Sequence, residues 1–519
     1  MSEKKNDVIL GIDLGTIDSC AALLRNGIVE IVPDKNGKNI IPSMVCYKKD
    51  NDQFLYGNFA KNNYLAFPKS TMLESKRFLA SKFKSPEVQK DIKYLTVEIK
   101  EDKNTGKPKY VIDHKDGKKE YFPEQVSSMI LKYIIDYCKV FNSNRKLEKA
   151  IITVPAHFDI FQREATIQAG KLAGLKEVTL LNEATAAAIA YADKFKSNEM
   201  KILVFDIGGG TFDVSILNVE GNKYKVLSSH GISHLGGEDF NQLLLDYVIE
   251  EAKKDKDFKD VNFQEPRILK KFRNEVENKK IELSEQNDVS FYIDAIKGEK
   301  SFSMNITRKK YEELCMKIWE QIFPAVDEAI KLAENKLKKE QKKEQIKLEI
   351  NKIIFVGGPT RTPKIEEMVE KHFPNIEILK SVNVEEVVAY GAATSGKKNL
   401  IIEDIISKSF GIEIANKEFS EIIPMGTSLP ANGKFAVHAR NYTLKKNNNV
   451  NQKIKIYEGN NTTIKENNYL GEFNVKLDEN EKDITVKMTI DQSSILKVSA
   501  VVNGKNKETT DIKIEKINY

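Results

Sequence analysis

An apolar segment that ends in an aspartate and then turns through glycine and threonine occurs twice in this chain. The first copy is Val8–Thr16 (VILGIDLGT) and the second is Ile202–Thr211 (ILVFDIGGGT). Short apolar runs rich in β-branched residues are typical of buried strands, and glycine directly after a strand permits a tight turn. A chain of 519 residues has room for several domains of roughly 150 residues each. The repeat therefore predicts two related halves, each built around the same strand and turn.

Helical periodicity alternates with strand-like segments through most of the chain. Apolar residues recur at helical spacing over Pro123–Phe141, and the strand-like segment Ala150–Val154 follows. A helix is predicted near Gln162–Leu172, and later the strand Ile353–Val356 is followed by the helix Pro363–Phe373. This alternation predicts an α/β layered domain.

The pattern changes near Thr394–Lys398. Beyond it, short β-branched runs separated by turns continue to about residue 514. The change predicts a boundary and, after it, a separate small domain made mostly of strands.

Composition excludes several classes of protein. Hydrophobic residues make up 40% and charged residues 30%, which argues against a disordered or collagen-like chain. The net charge of +6 is small for this length and argues against a dedicated nucleic-acid binder. The sequence contains neither an apolar run of about 18 residues, as a membrane span needs, nor a signal peptide. The four cysteines are far apart and form no CxxC pair, so we expect reduced thiols in a cytoplasmic protein without membrane contact.

The two strand-end turns suit phosphate and a divalent cation. Backbone N–H groups in glycine-rich turns can cradle phosphate oxygens, and an aspartate at the strand end can hold a hydrated Mg²⁺. One such turn alone is more often an ordinary turn. Two copies, at Asp13–Thr16 and Asp206–Thr211, favour a nucleotide held between two lobes.

A third glycine turn, Phe355–Arg361 (FVGGPTR), lies between a predicted strand and a predicted helix. There the backbone at Gly358 could approach an adenine or ribose closely, and Arg361 could lie flat on the base. A plain helix-capping turn explains the same residues equally well.

Six segments together resemble the heat-shock-70 chaperones, and the resemblance extends from residue 7 to residue 514. They are Gly11–Thr16 (GIDLGT), Val154–Ala156 (VPA), Asn182–Ala188 (NEATAAA), Asp206–Ser215 (DIGGGTFDVS), His234–Phe240 (HLGGEDF) and Ala389–Ala393 (AYGAA). The resemblance implies an α/β, actin-like, two-lobed ATPase domain followed by a mostly β sandwich domain that grips extended peptides. The implied boundaries are 1–396 for the ATPase domain, 397–406 for the linker and 407–519 for the β sandwich.

The resemblance also implies roles for residues on the phosphate side of a bound ATP or ADP. Asp13 and Asp206 would arrange Mg²⁺ through its waters, and Lys76, assisted by Glu183, would orient the attacking water. Without the resemblance, Lys76 and Glu183 would be taken for solvated surface residues. The other implied contacts to the phosphates are Gly15, Thr16, Ile17, Gly209, Gly210 and Thr211.

On the adenosine side, the segment 277–284 (ENKKIELS) resembles the family's adenosine-binding helix. Glu277, Lys280 and Ser284 would meet the ribose and base, with Gly358 and Arg361 opposite. The residues implied to relay the nucleotide state to the linker are Pro155, Arg163 and Asp404.

Several positions depart from the family pattern. Asp18 adds a carboxylate beside the first phosphate loop, where it would repel phosphate unless it points away, and His157 stands where the family has tyrosine. Glu403 replaces a linker leucine, and an unpaired carboxylate buried against the ATPase domain would cost several kcal/mol. This substitution predicts weakened coupling between the domains.

The peptide cleft implied by the resemblance is unusual. Aligned on Leu429–Pro430 and Glu458–Gly459, the arch over a bound peptide is expected to contain Phe419 and Arg440, with Val437 beside it and Gln452 in the central pocket. Glutamine retains water where an apolar pocket excludes it, so weak peptide binding is expected. The chain also shows no helical segment before it stops at Tyr519, and we therefore expect a β domain without a lid that releases peptides quickly.

Two functions remain open from the sequence, and a third is disfavoured. The first is an ATP-dependent chaperone that works with a J-domain co-chaperone and a nucleotide-exchange factor on unfolded or nascent polypeptides. The second is an ATP-bound, poorly hydrolysing structural partner in a ribosome-associated J-domain complex. A sugar kinase or actin-like filament protein is disfavoured because the loop Leu235–Phe240 and the added β domain resemble the chaperones.

Overall fold

The chain was analysed as a computed structural model. The structure describes residues 8–195, 199–380, 383–430, 435–443, 451–476, 483–502 and 505–510. The last strand predicted from the sequence is Thr509–Ile514, and its residues 511–514 lie outside the described residues.

The helices and strands are numbered in chain order. The helices are α1 (Gly57–Asn63), α2 (Ser75–Phe78), α3 (Pro86–Asp91), α4 (Pro123–Phe141), α5 (Ile160–Leu172), α6 (Glu183–Phe195), α7 (Gly237–Lys254), α8 (Pro266–Glu282), α9 (Arg308–Trp319), α10 (Ile322–Gln341), α11 (Pro363–His372) and α12 (Val387–Ser395). The strands are β1 (Ile9–Asp13), β2 (Asp18–Arg25), β3 (Ile28–Ile31), β4 (Ile40–Pro42), β5 (Met44–Lys48), β6 (Gln53–Tyr56), β7 (Thr71–Leu73), β8 (Glu98–Glu101), β9 (Pro108–His114), β10 (Gly117–Tyr121), β11 (Lys149–Val154), β12 (Glu177–Asn182), β13 (Glu199–Ile207), β14 (Thr211–Glu220), β15 (Lys223–Ser233), β16 (Asp288–Lys297), β17 (Lys300–Thr307), β18 (Lys352–Val356), β19 (Glu377–Leu379), β20 (Ile401–Glu403), β21 (Phe410–Glu413), β22 (Phe419–Ile423), β23 (Ala436–Thr443), β24 (Asn451–Glu458), β25 (Asn468–Lys476), β26 (Asp483–Ile490), β27 (Leu496–Val502) and β28 (Lys505–Thr510).

The two copies of the strand-and-turn motif form the same kind of sheet. In lobe I, the part of the chain up to residue 195, the strand order is β12-β11-β1-β2-β3, and β1 is parallel to β11 and antiparallel to β2. In lobe II, residues 199–380, the order is β19-β18-β13-β14-β15, and β13 is parallel to β18 and antiparallel to β14. The expected duplication is therefore visible in the topology, with β13 in the place of β1.

Two helices join the lobes. α12 packs on β1 and β2 of lobe I, α6 packs on β13 and β14 of lobe II, and the two helices pack against each other. A Cβ atom on Gly391 of α12 would lie 1.7 Å from the carbonyl oxygen of Ala186 in α6, a distance that no side chain tolerates. The lobes therefore meet at a close backbone contact beneath the cleft between them.

The segment after residue 406 is a sandwich of two antiparallel sheets. Their strand orders are β22-β21-β24-β25 and β23-β26-β27-β28. Alternate residues of β26, Ile484 to Ile490, are buried between the sheets, as period-2 alternation predicts. Ile160 of α5 belongs to the same buried cluster, so the sandwich is docked on lobe I.

The residues expected to form the linker are folded into lobe II. Strand β20 pairs in parallel with β15 through residues 223–225 and becomes the sixth strand of the lobe II sheet. Glu403, the substitution expected to weaken coupling, is neither fully buried nor unpaired. Its carboxylate lies 3.1 Å from Lys223 Nζ, and its side chain is 29% exposed, so the partly solvated pair avoids the cost of an isolated buried charge.

Candidate functional site

The two strand-end turns face each other across the cleft between the lobes. A Cβ atom on Gly209 would lie 2.5 Å from Ile17 Cγ1, and one on Gly210 would lie 3.2 Å from Thr16 Oγ1. A side chain at position 209 would overlap Ile17, and one at position 210 would be tightly packed against Thr16, so glycine keeps the gap between the turns open. Gly15 is equally constrained, since its Cβ would overlap the carbonyl oxygen of Asp18. Backbone amides from both lobes therefore converge on one narrow space.

The glycine turns at Gly357 and at Gly237 pack against the lobe II turn. Gly357 has φ +83°, and a Cβ there would lie 1.9 Å from the carbonyl oxygen of Ile207. The N–H of Gly237 donates to Gly208 O at 2.9 Å, and the N–H of Glu238 donates to Gly209 O at 2.8 Å. These bonds fix the conformation of the turn that contains Gly209, Gly210 and Thr211.

Four carboxylates crowd the floor of this space. Burial, and secondly the charge of Glu183, raise the pKa of Asp13 to about 7. Burial raises the pKa of Asp206 well above its ordinary value, and the charges of Glu183, Asp213 and Asp13 add to the effect. One oxygen of Asp213, Oδ2, is buried and has no hydrogen-bond partner within the part of the chain that is described. Such a cluster fits a divalent cation, which would relieve the repulsion between these charges.

The carboxylates do not form a direct metal cage. Among the described residues, no group of three histidine, cysteine, aspartate or glutamate side chains is arranged to hold a metal ion. Mg²⁺ tends to keep several of its waters and to bind through one or two carboxylates plus phosphates, so this geometry fits Mg²⁺ held through water by Asp13 and Asp206.

Lys76 lies in the same space. It belongs to the short helix α2, which begins after Glu74 at φ +58°. Lys76 Nζ lies 2.6 Å from Glu183 Oε1 at the start of α6, and both side chains are buried. The charges of this pair act on Asp13 and Asp206, which places a cation beside the two strand ends.

The residues expected to meet adenosine lie along α8 and just past its end. Lys280 Nζ donates to Gly237 O at 3.0 Å, and burial lowers the pKa of Lys280. Glu277 pairs with Lys61 across the cleft at 3.0 Å, and Ser284 follows the helix end, half-buried. Arg361 contacts Glu385 at 3.4 Å and Asn383 at 3.2 Å, and its side chain is 55% exposed. In this structure the guanidinium of Arg361 is therefore bound to Glu385 and Asn383, close to Gly358.

Asp18 belongs to this side of the cleft. Burial raises its pKa to about 6, and the nearest charges that act on it are those of Lys61, Glu277 and Glu385. Its carboxylate lies among the adenosine-side charges, but its charge also raises the pKa of Asp13, so the expected repulsion of phosphate stays a prediction.

A comparison with protein families shows which family has this sequence pattern. The model of the family described as "Hsp70 protein" matches residues 9–518, nearly the whole chain. The chain belongs to the Hsp70 family. Hsp70 proteins are ATPases and chaperones with an actin-like ATPase domain and a β-sandwich domain, and they bind ATP or ADP with a divalent metal. They typically work with J-domain proteins, nucleotide-exchange factors and unfolded substrates. In this Hsp70 chain, each described helix is too short or too polar to cross a membrane.

Buried ion pairs that sequence reasoning missed connect the lobes of this Hsp70 protein. Arg77 of α2 contacts Asp239 of α7 at 3.0 Å, and Arg273 of α8 contacts Glu74 at 2.7 Å and Glu238 at 2.6 Å. All five side chains are nearly inaccessible to solvent. Charged residues at irregular spacing look like surface in a sequence, and the family resemblance singled out only Lys76 in the segment Glu74–Phe78.

Two of the residues implied to relay the nucleotide state, Arg163 and Asp404, are joined by hydrogen bonds through Asn182 in this Hsp70 structure. Arg163 of α5 donates to Ala156 O and to Asn182 Oδ1, at 3.1 and 2.9 Å. Asn182 donates to Asp404 Oδ1 at 2.8 Å, and Thr185 donates to Asp404 Oδ2 at 3.0 Å. Pro155 directly precedes Ala156, so the turn after β11 is connected to the linker through side chains.

The expected peptide-cleft residues are spread over three strands of the sandwich. Arg440 Nη1 donates to Glu421 O at 2.7 Å, which holds the middle of β23 against the strand that contains Phe419. Val437 is 62% exposed, and Gln452 of β24 donates to the carbonyl oxygen of Lys453 at 3.3 Å. The structure brings Arg440 close to the Phe419 strand, whereas Gln452 lies on a different strand opposite Val475.

Proposed function

We propose that this protein is an ATP-dependent chaperone that slowly hydrolyses ATP to ADP and phosphate and thereby regulates its contact with unfolded or nascent polypeptides. The observation that carries the proposal is the buried pair of Lys76 and Glu183 beside Asp13 and Asp206, between two glycine turns. Phosphoryl transfer depends mainly on positioning and on electrostatic stabilisation, and these residues supply both.

The proposed division of labour follows from the charges. Backbone amides of the two turns, with Thr16 and Thr211, bind the phosphates. Lys76 offers a donor and a positive charge next to the site of attack, where it orients the water. Glu183 holds Lys76 in that position through its 2.6 Å contact. Bound Mg²⁺ would neutralise phosphate charge, with Asp13 and Asp206 holding its waters.

The proposal extends to the domains, the compartment and the partners. The ATPase domain would comprise residues 1–396, the linker 397–406 and the sandwich 407–519, in a cytoplasmic protein. The sandwich, through Phe419, Val437, Arg440 and Gln452, would contact the polypeptide. A J-domain co-chaperone and a nucleotide-exchange factor would act on the cycle, because the linker strand β20 is docked against the sheet that carries Asp206.

The test is single-turnover ATP hydrolysis by the full chain, alone and with a J-domain protein and an extended apolar peptide. Stimulation by both is the expected result, because both act through the docked linker. Tight ATP binding with negligible, unstimulated turnover would contradict the proposal and would favour the structural partner of a ribosome-associated complex.

Lys61→Ala should release ADP about two- to fivefold faster than the unmodified protein. Lys61 and Glu277 connect the two lobes at 3.0 Å, but their side chains are 40% and 27% exposed, so the pair contributes little. Stopped-flow release of a fluorescent ADP measures the effect. The matched control is Lys132→Ala, which removes an exposed pair within α4 and should leave release unchanged. Equal release rates for the Lys61 variant and the control would show that the Lys61–Glu277 pair does not slow the release of ADP.

A further inference from the structure

His157 makes a contact that the roles assigned above do not use. Its Nδ1 lies 2.9 Å from Oδ1 of Asp213, and the two side chains are 16% and 2% exposed. Asp213 belongs to β14 and lies opposite Asp206 in the register between β13 and β14. His157 follows Pro155 in the turn after β11. The contact therefore joins lobe I to the strand that pairs with β13.

The surroundings leave room for this contact only because residue 231 is glycine. A Cβ atom on Gly231 of β15 would lie 2.6 Å from Asp213 Oδ1 and 2.7 Å from His157 Nδ1. Gly231 is also the register partner of Asp213. A methyl group here would push the imidazole and the carboxylate apart, so the backbone of β15 is shaped around the pair.

The chemistry of the two groups fixes the direction of the bond. An ionised aspartate only accepts hydrogen bonds, so the proton lies on His157 Nδ1. This bond uses one oxygen and restricts rotation of the carboxylate. The other oxygen, Oδ2, is buried and has no partner in the described part of the chain, and the charge of Asp213 reaches Asp206. A carboxylate held in this way has one acceptor free for a water molecule.

We infer that His157 is a positioning residue for ATP hydrolysis, which holds Asp213 so that its free oxygen can accept a hydrogen bond from the attacking water. The inference rests on the proposed function and deepens it. The family pattern has a tyrosine at position 157. This chain has a histidine there, whose ring nitrogen Nδ1 lies close to the backbone and donates the hydrogen bond. Among the described contacts, His157 is the one side chain of this turn that forms a hydrogen bond with Asp213.

The experiment compares three variants with the unmodified full chain. His157→Phe removes the donor and keeps a ring, and His157→Asn keeps a donor near the position of Nδ1. His157→Gln moves the donor one carbon further away and carries the test if the phenylalanine variant unfolds. Single-turnover hydrolysis, the Kd for ATP and the thermal midpoint are measured for each protein.

We expect His157→Phe and His157→Gln to hydrolyse ATP about 10- to 100-fold more slowly, with a Kd within about twofold of the unmodified protein, because a small misplacement of a reacting group is costly. His157→Asn should recover most of the rate. A purely structural role would lower the thermal midpoint and would not separate Asn from Gln. Hydrolysis by the unmodified chain together with an unchanged rate in both loss variants would overturn this inference alone. No hydrolysis by the unmodified chain would overturn the proposed function and this inference with it.

Discussion

Asp206→Asn should slow single-turnover hydrolysis about 100- to 1000-fold while raising the thermal midpoint of the nucleotide-free protein by roughly a few degrees. The two effects have one cause. Asp206 is 5% exposed and surrounded by the negative charges of Glu183, Asp213 and Asp13. Those charges suit a hydrated cation and phosphates, and they repel one another when the site is empty.

The direction of the stability effect follows from the pKa. Burial and the neighbouring carboxylates raise the pKa of Asp206 in the folded chain above its value in the unfolded chain. Such a group lowers the free energy of unfolding at neutral pH, because the unfolded chain ionises it more easily. Asparagine has nearly the same shape and no charge, so the substitution removes this penalty.

The measurements are single-turnover hydrolysis, the Kd for Mg²⁺–ATP and thermal unfolding without nucleotide. Asp136→Asn is the matched control, since Asp136 is an exposed residue that pairs with Lys132 on α4, and it should change none of the three. A variant at position 206 that hydrolyses ATP at the unmodified rate would remove Asp206 from the proposed centre.

Docking of the sandwich on lobe I should weaken as the pH rises from about 5 to about 8, by up to about tenfold per pH unit for each proton involved. The group chiefly responsible is Glu458 at the end of β24. Its side chain is buried, and its Oε2 accepts the N–H of Ile160 at the start of α5 at 3.2 Å. The carboxylate of Asp159 is also close, and it accepts from Asn468 of the sandwich at 3.1 Å.

The sign of the pH effect follows from the docked environment. Burial, and secondly Asp159, raise the pKa of Glu458 to about 8, against the opposing effects of Lys408, the Ile160 N–H and Arg163. In the undocked sandwich this carboxyl would be solvated and would have an ordinary pKa near 4.3. The docked form therefore holds one more proton between these two values, and raising the pH across that window favours undocking.

Glu458→Gln should dock more tightly at pH 7.5 and should reduce the pH slope by up to one proton. The amide oxygen can still accept from Ile160, and the charge beside Asp159 is gone. Energy transfer between dyes on lobe I and on the sandwich, recorded from pH 5 to pH 8.5, measures docking. Part of the slope should remain, because burial also raises the pKa of Glu164 at this interface to about 7.

The control for this experiment is Glu472→Gln, an exposed partner of Lys453 within the sandwich. It should keep both the docking and the slope of the unmodified protein. Identical slopes for Glu458→Gln and for this control would exclude Glu458 as the titrating group.

The parts of the fold that the sequence predicted are those with a periodic or repeated signal. Helix α4 runs from Pro123 to Phe141 as predicted, because one face repeats apolar residues and proline suits the first turn. The equivalence of β1 and β13 followed from their matching turns. α5 begins at Ile160, two residues before the predicted start, because Asp159 and Gln162 form a capping box.

The parts that could not be predicted depend on contacts between distant segments. Nothing in the spacing of Arg273 and Glu74 predicts that they meet at 2.7 Å, and a lysine such as Lys76 has no periodic signal at all. The partner of Glu403 could not be predicted for the same reason, because Lys223 lies on another strand. Lys76 and Glu183 were singled out in advance only because of the family resemblance.

Strand β20 covers part of an edge of the lobe II sheet. Without β20, the backbone groups of residues 223–225 in β15 would be free, and an open strand edge can pair with another chain. Two lysines flank that edge, Lys223 and Lys225, whose partners are Glu403 and Glu340. Release of β20 removes the partner of Lys223 and leaves a positive charge on the open edge, a common protection against unwanted strand addition. In the docked form Glu403 neutralises the charge of Lys223, and undocking of β20 would leave that lysine to oppose strand pairing between two copies of the chain.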